Sequence, residues 1–182
     1  MQRIKSIEVA QATGEAATTL AAIKAKFGTV PNIFKTMAVA PSVLKSYVAF
    51  SGAVGEGALS AAMREQISLV SAGSNACDYC ASAHQALGKM AGLSTDDIAL
   101  AFKGQASNPK AAAALTFAKK LISDRGQVSD ADLGAIRAAG LTDAEALEIV
   151  ANVALNIFTN YLNLVADTEI DFPRVDSARA AL

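Results

Sequence analysis

Cys77, Asp78, Tyr79, Cys80 and His84 lie within eight consecutive residues, and Glu65 precedes them by a dozen. The chain has two cysteines and one histidine, and all three are here. On a helix, Cys77, Cys80 and His84 fall on one face within two turns. A cysteine in the first turn meets free backbone N–H groups and the positive dipole end, which stabilise a thiolate. A Cys-x-x-Cys at a helix start can close a disulfide across one turn and reopen it. His84, one turn beyond Cys80, is within reach to exchange a proton with its sulfur. This is the layout that thiol redox chemistry needs: one thiolate attacks and the other resolves.

Two plainer readings compete. Cysteines on an apolar helix can be small core residues, but here they share one stripe with the only histidine. Cys77, Cys80, His84 and Glu65 could also bind zinc, yet structural zinc sites draw ligands from two segments and no second Cys/His pair exists. Glu65 by itself, beside Arg64, reads as a solvated charge.

The positioning elements read as helices. Residues 15–27 carry Leu20, Ile23 and Phe27 at helical spacing, and Gly28 stops them. Pro31 suits a first helical turn. Pro41 and Ser42 open a helix to about Ser51, with Gly52, Gly55 and Gly57 as a loop. Ser60 caps a helix with Met63, Ile67 and Val70 on one face, ending near Gly73. Asn75 is placed as the N-cap of the cysteine helix, 76–91. Ser94 to Asp97 forms a capping box, Pro109 starts a helix to about Arg125, and Ser129–Ala138 is a short helix. Thr142 to Glu145 is a second capping box and opens a long helix to about Val165. The tail from Asp167 is extended, then weakly helical. The echo of Ala91-Gly92-Leu93-Ser94 in Ala139-Gly140-Leu141-Thr142 reads as a recurring good cap rather than a repeat. Asn152, Asn156, Asn160 and Asn163 share one face of the last long helix. Asparagine is a poor helix former, so the stripe implies specific hydrogen bonds, with a structural role preferred to substrate contact.

Composition agrees. Of 182 residues, 52% are hydrophobic and 18% charged, and roughly 40 are alanine, the best helix former. This excludes disorder, and the absence of Trp with only 5% aromatics argues against a β-sandwich or barrel. An all-α domain spanning 1–182 is expected, with its core motif region at about 58–104. A net charge of −1 provides no field for nucleic acid or anionic lipid. The apolar stretch Ile149–Phe158 is interrupted by asparagines and is shorter than a membrane span, about 20 residues. Met1 to Thr19 has no apolar leader core. The expectation is a cytoplasmic protein with no membrane or nucleic-acid partner. The glycines form no phosphate-binding fingerprint, and nothing indicates a flavin, haem, nucleotide or other cofactor. A weakly charged, alanine-rich surface suggests that other subunits cover part of it.

The pattern Glu65-x11-Cys77-x2-Cys80-x3-His84 resembles the active-site signature of the alkylhydroperoxidase AhpD branch of the carboxymuconolactone decarboxylase superfamily. The flanks Arg64, Ile67–Val70, Gly88 and Leu93-Ser94 agree. Val30-Pro31-Asn32-Ile33-Phe34, Ala40-Pro41, Asn156 to Asn160, Asp167 and Asp171-Phe172-Pro173 resemble its peroxidase-related subgroup. The resemblance implies an all-α fold with the Cys-x-x-Cys at a helix N-terminus, and homo-oligomers, commonly trimers or hexamers. It implies a hydroperoxide substrate and a dithiol or protein reductant. By resemblance, Cys80 attacks the peroxide, Cys77 resolves the sulfenic acid, and His84 with Glu65 relays protons. Tyr79 stands where the family tends to have a relay histidine. It is kept as a candidate catalytic residue, a hydrogen-bond donor with an intrinsic pKa of about 10. The competing activities are a decarboxylase-like acid/base enzyme, which would not need the cysteines, and a metal-binding or redox-sensing oligomer.

Overall fold

The computed structural model describes residues 2–182, so Met1 lies outside it. Among the described residues there are helices and no strands. A 3-10 turn at Val9–Gln11 precedes α1 (Gly14–Phe27), α2 (Asn32–Met37), α3 (Pro41–Gly55), α4 (Ala61–Ser74) and α5 (Asp78–Met90). Then come α6 (Thr95–Phe102), α7 (Pro109–Ser123), α8 (Asp130–Ala138), α9 (Asp143–Ala166) and α10 (Ser177–Ala180).

Helix α4 is the centre of the bundle and packs against α5, α6, α7 and α9. Every residue from Gln66 to Ala72 is buried, so this helix is covered on all sides. Its two buried serines cost little, because Ser68 and Ser71 donate to the carbonyls of Arg64 and Ile67 one turn back. Leu20, Leu44, Ile67, Leu69, Leu115 and Ile149 fill the surrounding core.

The expected caps hold at α4, α6 and α9. Ser60 accepts from Met63, and full capping boxes form at Ser94/Asp97 and Thr142/Glu145. A third box, Ser129/Asp132, opens α8. The echo at Gly92 and Gly140 has a local cause. Both glycines are left-handed (φ +90° and +84°). At each, the next residue's N–H returns to a carbonyl five residues back, Leu93 to Gly88 and Leu141 to Ile136. These are Schellman stops running straight into a capped helix start.

Three boundaries differ from expectation. Pro31 is the N-cap of α2 rather than part of its first turn. Helix α3 runs on through Gly52 and Gly55, and its N-cap is Ala40, not Ser42, with Pro41 in the first turn. The cysteine helix begins at Asp78 with Cys77 as its N-cap, and Asn75 is instead the C-cap of α4. The cause is a tight turn. Ala76 is left-handed (φ 50°), and Cys77 N–H bonds the carbonyl of Ala72. The α4 stop thereby consumes the two residues that were expected to start α5.

Helix α9 is long and apolar enough to cross a membrane by length and composition, and half of its most apolar window is buried inside the bundle. Its asparagine stripe faces inward: Asn152, Asn156, Asn160 and Asn163 are all buried.

Candidate active site

The α4–α5 turn sets the position of both cysteines. As N-cap, Cys77 offers its sulfur to the N–H of Cys80 at 3.3 Å. The two sulfurs are joined in a disulfide, with Cα atoms 5.3 Å apart, and both residues are buried. Sulfur replaces the usual hydroxyl or carboxylate oxygen of an N-cap, so the helix dipole falls on the cysteine pair itself.

Packing of α5 on α4 brings Glu65 to His84. Glu65 Oε2 lies 2.8 Å from His84 Nδ1, and each side chain is 20% exposed, so the pair reaches solvent. A carboxylate can only accept, so Nδ1 donates and Nε2 is left as the basic nitrogen of the neutral ring. Upstream, Arg64 donates to the carbonyl of Leu59, which ties the start of α4 to its loop. Glu148 of α9 holds the same loop, accepting from the N–H groups of Ala58 (2.8 Å) and Leu59 (2.9 Å).

Tyr79 is the member of the expected set that is not brought to this pair. Its hydroxyl accepts from the N–H of Ile33 at the start of α2, at 3.1 Å. Its ring packs edge-on against Phe172. Burial, above all, pushes its phenol far above the ordinary value, with Asp171 adding to the shift. The plain reading of a packed aromatic fits this geometry, with the phenol held by the backbone amide of Ile33 and by the Asp171 carboxylate.

Three neighbours add to the site. Asn163 of α9 donates from Nδ2 to Cys80 Sγ at 3.4 Å. Tyr47 of α3 lies close enough to Glu65 for that charge, after burial, to raise its phenol. Asp78 accepts from the N–H and Oγ of Ser177, at 3.0 and 2.7 Å, and docks α10 beside the cysteines. Asn163 was visible as one of a stripe, but its sulfur partner is 83 residues away. Tyr47 and Asp78 carry no spacing signal.

A groove of about 1300 Å³ opens on the Cys77 side, lined by Cys77, Tyr79, Asn163, Thr168 and Phe172 and by the N-terminal arm around Arg3. Among the described residues, no group of three or more His, Cys, Asp or Glu side chains is arranged to hold a metal ion.

Residues 41–120 match the model of the carboxymuconolactone decarboxylase family. Across its whole length the chain is similar to the alkylhydroperoxidase AhpD core structure of an uncharacterized peroxidase-related protein from Ralstonia eutropha JMP134. The TM-score is 0.84 at 26% identity, covering 100% of this chain and 97% of that one. The chain has the all-α AhpD-like fold. The AhpD-like fold extends to more distant proteins. An uncharacterized peroxidase-related protein from Silicibacter sp. TM1040 aligns with a TM-score of 0.82 at 22% identity, covering 92% of this chain and 91% of that one. The debrominase Bmp8, as a cysteine-to-alanine variant in complex with 2,3,4-tribromopyrrole, aligns with a TM-score of 0.78 at 19% identity, covering 98% and 94%. No curated protein matches the chain.

Proposed function

We propose that this AhpD-like protein is a thiol-dependent oxidoreductase that reduces alkyl hydroperoxides through a Cys77/Cys80 dithiol–disulfide cycle. The observation that carries the reading is the juxtaposition of a helix-capping cysteine pair with a carboxylate-held histidine one turn along the same helix.

The cycle starts from the dithiol. Neutral His84, held by Glu65, accepts the proton of the Cys80 thiol through Nε2. The Cys80 thiolate attacks the terminal oxygen of the hydroperoxide, and the O–O bond breaks. The departing alkoxide takes the proton back from the imidazolium and leaves as an alcohol. Cys80 is now a sulfenic acid. Cys77 attacks that sulfur, its proton leaves with the hydroxide as water, and the disulfide forms. An external dithiol then restores both thiols and becomes a disulfide itself. Tyr79 has no step here, because its hydroxyl is held by Ile33.

Consumption of an alkyl hydroperoxide with a dithiol donor tests the reading. Wild type turns over and Cys80→Ser does not; equal rates in the two would remove the cysteine cycle. Survival of activity on a carboxylactone in the Cys77→Ser/Cys80→Ser protein would favour the acid/base alternative.

A further inference from the structure

Two atoms on the buried face of α9 stand out because nothing satisfies them. Asn163 Oδ1 and Asn160 Nδ2 are buried side-chain atoms without a hydrogen-bond partner. Leaving such an atom unpaired costs about 1–3 kcal/mol, so each calls for a reason. Elsewhere on the stripe the amides are used locally. Asn152 and Asn156 donate back to the carbonyls of Glu148 and Asn152 on their own helix. Asn160 Oδ1 accepts from Asn75. Asn163 alone directs its amide at a sulfur, Cys80 Sγ, while its oxygen is idle.

The oxidation state gives a reason for the direction of the Asn163 amide. A disulfide sulfur is a weak acceptor and carries no proton to donate. Reduction changes both properties. A dithiol reagent delivers two electrons to the S–S bond and becomes a disulfide. One of its two protons ends on Cys77, and the other is released to His84 or to water, leaving a Cys80 thiolate. The amide of Asn163 is therefore mismatched to the disulfide and matched to the reduced pair. Its N–H then meets an anion in place of a weak acceptor.

We propose that Asn163 is a positioning residue for Cys80, whose Nδ2 donor stabilises the thiolate released when the disulfide is reduced. This inference rests on Cys80 being the working thiol of the proposed cycle. A hydrogen bond to the charged form favours that form. Asn163 therefore lowers the pH at which Cys80 ionises and draws the couple toward the dithiol. The charged groups around the cysteine pair are Glu65 from α4, His84 and Asp78 from α5, and Arg174 from the tail, paired with Asp78. Arg3, Lys5, Glu8, Asp167, Glu169 and Asp176 line the groove on the Cys77 side. The inward face of α9 supplies only neutral side chains to the pair.

The test uses Cys77→Ser protein, in which Cys80 is the sole cysteine, and follows its alkylation by iodoacetamide against pH. Asn163→Leu is expected to move the midpoint up by about one unit, a roughly tenfold loss of thiolate below both midpoints. Asn163→Asp keeps the shape, lacks the donor and moves the midpoint the same way, so one misfolded variant leaves the test intact. Asn156→Leu removes a buried amide from the same stripe that is bonded only to its own helix, and should leave the midpoint in place. With both cysteines present, Asn163→Leu is expected to shift the equilibrium with dithiothreitol about tenfold toward the disulfide, or about 30 mV. Coincident midpoints with and without Asn163, or an equal shift from Asn156→Leu, would overturn the inference. No peroxide enters this assay. A shifted midpoint in a protein that ignores hydroperoxides would retain the role of Asn163 and sink the peroxidase reading instead.

Discussion

Glu65 Oε2 sits 2.8 Å from Nδ1 of His84, and this contact decides which ring nitrogen is free to act as a base. His84 is the only histidine, so its ring nitrogens can be followed by NMR without assignment. The neutral ring is expected to carry its proton on Nδ1. In Glu65→Ala the ring should relax toward the Nε2–H tautomer, and peroxide turnover should fall by about a hundredfold or more. An unchanged tautomer with full turnover would show that Glu65 is a bystander.

Tyr79 separates a structural from a catalytic role cleanly. Tyr79→Phe leaves the buried Ile33 N–H without its acceptor. The expected cost is about 1–3 kcal/mol in urea unfolding. Turnover under conditions where the variant is folded should remain within a few-fold of wild type. A collapse of turnover with unchanged stability would restore the phenol to the relay.

Asp78 links the cysteine helix to the tail, and its titration gives the sign of an acid effect. Burial, its largest single influence, raises its pKa, but the Ser177 donors and Arg174 together outweigh it and hold the carboxyl below its usual range. A carboxylate depressed in the folded state stabilises the fold above its unfolded value, about 3.9. That contribution is lost as the pH falls through the folded value. The urea midpoint of Asp78→Asn should therefore lie below wild type at neutral pH, and the gap should shrink below about pH 4. A gap independent of pH would mean that the carboxylate charge does not hold the tail.

Glu148 supports the site from a distance. Its carboxylate accepts two backbone N–H groups of the loop that launches α4, the helix carrying Glu65. The carboxylate also fills the space a side chain on Gly57 would occupy, at 2.5 Å from an added Cβ. Glu148→Ala is expected to lower stability by about 1–3 kcal/mol and to loosen that loop, read as faster amide exchange at Ala58 and Leu59. Unchanged protection at both amides would refute the clamp.

Helix positions were largely legible because their signals are local. Ser60, Ser94 and Thr142 cap the helices that their own short segments announce. Helix α5 starts two residues later than residue type suggests, since Asn75 is the better cap by type. The left-handed turn at Ala76 gives that place to Cys77, which residue type does not foretell. The pairing of Glu65 with His84 came only from family resemblance, since no spacing rule joins two different helices. The partners of Tyr79 and Asn163 are set by packing. One is a backbone amide and the other a sulfur, each on an element remote in sequence. A backbone amide leaves no trace in residue identity.

The most direct test of the cysteine cycle is to trap its intermediate. Reduced Cys77→Ser protein, treated with one equivalent of an alkyl hydroperoxide in the presence of dimedone, should gain one dimedone adduct, on Cys80 by peptide mass spectrometry. The reciprocal Cys80→Ser protein should gain none and leave the hydroperoxide unconsumed. Adduct formation on Cys77 alone, or hydroperoxide loss independent of Cys80, would contradict the account.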